Sequence, residues 1–397
     1  MNVLMITHRS PHKSTAFTFR VLKFIEYASR NENLSIILVS FHENIHSEEL
    51  YFNYCKNIVL EDMPSFKSRG ILIYFLSNYL KGIFTFKNRN LLNFSFSCEM
   101  YNKIKKIIQE NDIDIIYVDS PTMAYYVYNI KIPKLVEILD SANITHDAYK
   151  REKRIPNRLL KYFIYIMHKN TTKLYDKFDA CITVTEEEKE KLQSYSHNAN
   201  ILVCPFGADI ISEYDNIVEV YPSILFLGNM GSPFNQESAL YIYNKIFPNL
   251  KRAFPSLKFF IVGKDPSKEL LNISIDESVV ITGYVDDIHP YIAKASVIVL
   301  PIHGYGIKTR ILEIMGMGKA IVTSPESIKW LRAESGKDIV TASNSNEYIY
   351  EISRLLEDGN LRKEIGYNAR CLVTKTYSWD SISNWLENLM AYYSNKP

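Results

Sequence analysis

Apolar and polar positions along the chain alternate between short β-branched runs and segments of helical spacing. Val3 to Thr7 is an apolar run, followed by a polar loop from His8 to Ala16. Phe17 to Ser29 has helical periodicity, and Leu34 to Phe41 is a second apolar run. This is a strand–helix–strand opening, the start of a doubly wound sheet. Ile113 to Val118, Pro133 to Leu139 and Ala180 to Val184 read as further strands. Thr185, followed by Glu186, Glu187 and Glu188, reads as an N-cap with an acidic first turn. Ile201 to Gly207 closes this first set. Residues 210–221 have no strong period and read as a linker. A second set starts with the strand Ser223 to Gly228 and the loop Asn229 to Asn235. A helix over Gln236 to Phe254 and strands at Leu257 to Gly263 and Val279 to Gly283 follow. The pattern predicts an α/β protein with two doubly wound parallel sheets.

The stretch from Val297 to Ser324 carries the most chemistry. Val297 to Leu300 is a strand ended by Pro301, and Gly304 and Gly306 bracket a loop. Ile307, Ile311 and Met315 then mark the buried face of a helix. Gly316 and Gly318 stop it, and Ala320 to Thr323 begins the next strand. Lys308 and Arg310 sit where the helix starts. That end is already partly positive, so cations there are disfavoured unless an anion is bound. Two cations beside glycine-freed N–H groups suggest phosphate. Gly306, Arg310 and Glu313 follow at i, i+4 and i+7. Glu313 can therefore sit one turn below the anion and accept hydrogen bonds from sugar hydroxyls. The alternative is a solvated helix face with scattered charges.

Composition narrows the picture. The chain has 397 residues, enough for two domains each with its own core. With a formal net charge of +2 there is no bulk case for nucleic-acid binding. The five cysteines lack metal or redox spacing, which fits a reducing compartment. No metal cluster is expected. The chain begins directly on a strand, and no apolar stretch reaches the ~18–20 residues of a spanning helix. A cytoplasmic protein is expected, either free or attached to the inner face of the plasma membrane. Phe66 to Asn90 has five cations and no acid among aromatic and aliphatic residues. A second basic segment, Lys150 to Lys161, leads into Tyr162 to Met167. These segments read either as an amphipathic surface on anionic lipid or as buried helices with basic outer faces. Asp140, in the turn Asp140-Ser-Ala-Asn143, reads as a site carboxylate or as a turn-former.

The second half resembles the nucleotide-sugar-binding domain of GT-B glycosyltransferases, specifically the retaining family 4. The matching segments are Phe226-Leu-Gly-Asn-Met230, Phe259-Phe-Ile-Val-Gly263, Ile281-Thr-Gly-Tyr-Val-Asp-Asp287 and Leu312 to Val322. Within the family the chain is most similar to bacterial exopolysaccharide and capsule sugar transferases, whose glycine–cation loop His303 to Glu313 resembles with the two cations exchanged. The resemblance implies two Rossmann-like domains facing across a cleft. Residues 1–209 would form the acceptor-binding domain and residues 222–376 the nucleotide-sugar domain. Residues 377–397, opening on Tyr377-Ser-Trp-Asp380, would form a helix crossing back to the first domain.

The resemblance also implies roles. Lys308 and Arg310 would stabilise the diphosphate as catalytic cations, with Asp140 near the transferred sugar or acceptor. Gly228 and Asn229 would face the donor, Gly283, Tyr284 and Val285 would recognise the base, and Glu313 would hold the ribose. His303, Gly304, Tyr305, Gly306 and Ile307 complete the donor loop. Two departures stand out: Tyr305 replaces the first acid of the family's paired glutamates, and Leu139 replaces its histidine. The implied activity is that of a hexosyltransferase-type enzyme. It would move a sugar from a nucleoside-diphosphate sugar, with UDP favoured over GDP and no cofactor, to a glycan or lipid-linked acceptor. A nucleotide-sugar epimerase of the same fold and a non-catalytic donor-binding protein are the alternatives. No strand carries the G-x-G-x-x-G fingerprint of a dinucleotide enzyme.

Overall fold

The computed structural model describes residues 1–11, 16–42, 53–62, 97–138, 174–301 and 309–396. The chain divides into two compact units. One is Met1–Pro205 together with Ile382–Pro397, and the other is Phe206–Ser381. The basic segments Phe66 to Asn90 and Lys150 to Met167 lie outside the described residues.

In the first unit the elements run β1 (Asn2–Thr7), α1 (Ala16–Ala28), β2 (Ser35–His42), β3 (Asn57–Asp62), α2 (Cys98–Glu110) and β4 (Ile115–Val118). They continue with α3 (Pro121–Ala124), β5 (Lys134–Glu137), β6 (Ala180–Thr183), α4 (Glu186–Gln193) and β7 (Ile201–Val203). The strands form one sheet in the order β3-β2-β1-β4-β5-β6-β7. Every neighbouring pair is parallel, with Val3 opposite Ile36 on one side and Ile115 on the other. A sheet covered on both faces needs continuous apolar strands, which is why Val3 to Ile6 are all fully buried. Thr185 caps α4 as expected, accepting the Glu188 N–H at 3.1 Å, while the Glu188 carboxylate accepts the Val184 N–H. Ile382, Leu386, Met390 and Tyr393 repeat at helical spacing along the helix Trp379–Ser394. They share a core cluster with Val21, Phe24 and Ile25 of α1.

The second unit repeats the plan. Its elements are β8 (Ser223–Leu227), α5 (Pro233–Tyr241), a π-helical turn (Ile242–Ile246), α6 (Phe247–Ala253), β9 (Lys258–Val262), α7 (Lys268–Asn272) and β10 (Val279–Ile281). There follow α8 (His289–Lys294), β11 (Val297–Leu300), α9 (Thr309–Gly316), β12 (Ile321–Thr323), α10 (Pro325–Ile328) and β13 (Val340–Thr341). The unit ends with α11 (Ser345–Glu357) and α12 (Gly359–Thr376), and α13 (Trp379–Ser394) begins within it. The sheet order is β10-β9-β8-β11-β12-β13, again all parallel. The single helix expected over Gln236 to Phe254 starts earlier and is interrupted by the π turn. Pro248 has no N–H to give and its ring crowds the carbonyl four residues back, so the ladder widens just before it.

Residues 206–221 are tied to this unit. Arg370 forks onto both carboxylate oxygens of Asp215 at 2.8 Å and also donates to the Ile211 and Gly316 carbonyls. Arg362 pairs with Glu219 at 2.8 Å. Among the described residues, no helix is long and apolar enough to cross a membrane.

Candidate functional site

In a parallel sheet all carboxyl ends face one edge, and ligands bind where the strand order reverses. In the second unit that point lies between β8 and β11. The chain leaves β8 at Gly228 and leaves β11 at Pro301. Two glycines let backbones meet there. Gly263, after β9, has φ +148°, and a Cβ on it would lie 1.7 Å from the Gly228 carbonyl oxygen. A Cβ on Gly228 would lie 2.9 Å from the Asn235 side chain and 3.3 Å from Arg310 Nη1. Asn235 Nδ2 donates to the Asn229 carbonyl at 2.8 Å, and Asn229 Oδ1 accepts the Gly231 N–H at 3.0 Å. The loop after β8 is thereby held in one shape.

Arg310 spans the switch point. Its Nη1 donates to the Leu227 carbonyl at 2.8 Å, linking the first turn of α9 to the end of β8. Enclosure lowers the guanidinium pKa, against the opposing pull of Glu313. Its other N–H donors take no acceptor among the described residues. A fixed guanidinium with donors to spare can bind an anion.

One turn on, Glu313 Oε1 lies 3.0 Å from His289 Nε2. His289 Nδ1 lies 2.6 Å from Asp287 Oδ1, and Tyr214 donates its hydroxyl to Asp287 Oδ2 at 2.5 Å. The Tyr214 and His289 rings stack at 5.7 Å. The hydrogen bond to Glu313 raises the His289 pKa above its usual 6.5. Enclosure pushes the Asp287 carboxyl up, but the Tyr214 and His289 hydrogen bonds outweigh it and hold it below 3.8. The bond to Asp287 pushes Tyr214 up to about 12. Among the described residues, no three of His, Cys, Asp and Glu are arranged to hold a metal ion. Here the imidazole stands between its two carboxylates instead.

Of the residues singled out from the sequence, Gly228, Asn229, Arg310 and Glu313 line this carboxyl edge. Gly283 follows β10 on the same edge with φ +67°, a left-handed turn; Tyr284 beyond it is exposed, and Val285 packs on the core. Asp140, His303, Gly304, Tyr305, Gly306, Ile307 and Lys308 lie outside the described residues. Sequence reasoning missed His289, Asp287, Tyr214 and Asn235. The one available signal was the pair of acids preceding His289 in Asp286-Asp-Ile-His289.

In the first unit the switch point lies between β1 and β4. There Asp119 Oδ1 accepts the His8 N–H at 2.9 Å. Enclosure pushes its carboxyl up to about 7, against hydrogen bonds from His8 and Ser120. A carboxyl titrating near neutrality can take or give a proton. Beside it, the buried Arg20 of α1 meets the buried Glu137 of β5 at 2.6 Å and donates to the Pro205 carbonyl.

Two parallel doubly wound units with this edge define a GT-B fold. Residues 221–358 match the family model described as Glycosyl transferases group 1. The chain is 24% identical over 383 residues to an uncharacterized glycosyltransferase of Methanocaldococcus jannaschii, covering 90% of each protein. Its fold matches a glycosyltransferase of Rickettsia africae at 13% identity with a TM-score of 0.65, over 100% of this chain and 99% of that one. It also matches Anabaena HepE, solved in complex with UDP and glucose, at 14% identity with a TM-score of 0.61, over 98% and 99%. The chain is a glycosyltransferase, and its second unit carries the group 1 domain.

Proposed function

We propose that this glycosyltransferase moves a sugar from a nucleoside-diphosphate sugar, UDP in preference to GDP, to a hydroxyl of a glycan or lipid-linked acceptor. The transfer proceeds with retention and serves surface polysaccharide synthesis of the exopolysaccharide or capsule type, on the cytoplasmic side of a membrane. The observation that carries this reading is Arg310: its guanidinium is fixed on the Leu227 carbonyl at the switch point and keeps donors free among the described residues. The UDP complex of the similar HepE supports the choice of nucleotide.

Charge develops on the β-phosphate as the anomeric bond breaks. Arg310, with Lys308 and the amide of Gly306, would stabilise it, the preorganised electrostatics typical of such steps. The glycines at 228 and 263 let backbone approach the diphosphate closely. Glu313 Oε2, which accepts no bond among the described residues, would take the ribose hydroxyls. Gly283 to Val285 would read the base through backbone groups, and Asp140 would stand near the transferred sugar. Arg310 and Lys308 together would do the work of a divalent ion, so that neither metal nor cofactor would be needed. The basic segments around Phe66 to Asn90 and Lys150 to Met167 would contact anionic lipid.

A thermal-shift screen of nucleoside diphosphates and their sugars tests this. A ligand at ~100 times its Kd adds about 2.7 kcal/mol, so UDP or a UDP-sugar should raise the midpoint clearly. The shift should vanish in K308A/R310A. A flat response to every nucleotide would refute the reading. Undiminished donor turnover in the double variant would refute the cation role.

A further inference from the structure

Glu313 does not stand alone. Its Oε1 is engaged by His289 Nε2 at 3.0 Å, and the opposite ring nitrogen is engaged by Asp287 Oδ1 at 2.6 Å. Both partners are carboxylate oxygens, which only accept. A neutral imidazole has one N–H and can satisfy one of them; an imidazolium satisfies both. The ring has little freedom to choose otherwise. Asp287 accepts the His289 backbone N–H at 2.9 Å through Oδ1 and the Tyr214 hydroxyl through Oδ2, so its carboxylate is fixed. Tyr214 stacks on the imidazole with 19° between the planes. Among the described residues, the titratable groups against the ring are Tyr214, Asp287 and Glu313, with Arg310 one turn away on the helix of Glu313.

We propose that His289 is a positioning residue for donor binding: as an imidazolium between Asp287 and Glu313, it holds Glu313 so that Oε2 faces the ribose hydroxyls, and donor affinity falls when it loses its proton. The inference rests on the nucleotide reading of the site. When the proton leaves to solvent, the N–H that remains stays with Asp287, whose contact is the shorter. The Nε2 lone pair then confronts Glu313 Oε1 across 3.0 Å. Two acceptors repel at that distance, so Glu313 turns away and the ribose loses its carboxylate. The hydrogen bond to Glu313, with that to Asp287, favours the charged imidazole and moves this loss above the usual histidine range. The device needs no movement of α9 as a whole, only a rotation of one side chain.

Two measurements on the full chain test it. The first uses no ligand. In nitrogen-15-labelled protein, with the His289 ring assigned by its loss in H289Q, both ring nitrogens should carry protons at neutral pH. The titration midpoint should drop in E313Q. The second measures UDP affinity by calorimetry for wild type and H289Q from about pH 6 to about pH 9. The carboxamide introduced in H289Q offers Glu313 an N–H that does not titrate, and the ratio of the two constants cancels the titration of UDP itself. Wild-type affinity should fall roughly tenfold relative to H289Q across the range, the loss of one charge-assisted hydrogen bond. A singly protonated ring at neutral pH, or a flat ratio with UDP still bound, overturns the proposal and leaves the nucleotide reading intact. If UDP binds at no pH, the nucleotide reading fails and the proposal falls with it.

Discussion

Replacing Glu137 by Gln is the sharpest test of how the first unit is built. Arg20 and Glu137 are 3% and 0% exposed and meet at 2.6 Å. With charge centres about 4 Å apart and an effective dielectric near 20, their attraction is about 4 kcal/mol. Each ion has given up several kcal/mol of hydration, so the intact pair is close to neutral in net effect. Removing one charge keeps the cost and discards the attraction. E137Q keeps the Arg20 cation enclosed with its Pro205 carbonyl contact but removes the Glu137 charge, which should cost about 3–5 kcal/mol. For a unit of this size that lowers the melting midpoint by roughly 6–20 °C. The double variant R20M/E137L removes both charges at similar volume and should recover most of the loss. Differential scanning calorimetry of the three proteins decides it. An E137Q midpoint within about 2 °C of wild type would refute the reasoning, as would a double variant no better than the single.

Three further outcomes are expected. Gly263→Ala forces a Cβ against the Gly228 carbonyl oxygen and should cost about 3 kcal/mol or more, whereas Gly283→Ala, with nothing among the described residues within 4 Å, should cost only the left-handed strain of about 1–2 kcal/mol; urea unfolding compares them, and equal losses would contradict the packing argument. Arg370→Lys abolishes the fork onto Asp215 and the contacts to Ile211 and Gly316, and should cost about 1–3 kcal/mol in the same assay. For Asp119 the folded carboxyl sits near 7 against 3.8 in the unfolded chain, so the folded state binds the extra proton and stability falls as pH rises between those values. Asp119→Asn should lack that slope, and a wild-type-minus-variant difference equal at about pH 4 and about pH 8 would sink the assignment.

Much of this architecture was legible from the chain because each strand is an apolar run with its own punctuation. Ile311 and Met315 repeat at helical spacing after a glycine loop, and both are fully buried in α9. Thr185 announced its helix through the three glutamates that follow it. Proximity without a local pattern was not legible. His289 and Glu313 are 24 positions apart and meet only because β10 and β11 both end on the same edge. Arg20 and Glu137 are 117 positions apart. A lone arginine in an amphipathic helix reads as a surface cation until the fold supplies its acid. The early helix start at Pro233 was hidden in a loop-like composition, because Ser-Pro reads equally well as a turn or as a cap followed by a first helical residue.

The first unit is discontinuous along the chain, and that orders its assembly. Residues 206–381 form a contiguous body that can close on its own contacts as soon as it is synthesised. The first sheet emerges earlier yet waits longer. One side of its α1 layer is completed by Ile382, Leu386, Met390 and Tyr393. Asn31 and Asn200 find their partners in Glu387 and Tyr393, each at 2.5 Å. Until that helix has left the ribosome, the apolar side of α1 has no cover from it, and a nascent chain that has emerged only as far as residue 381 carries a finished second unit and an open first one.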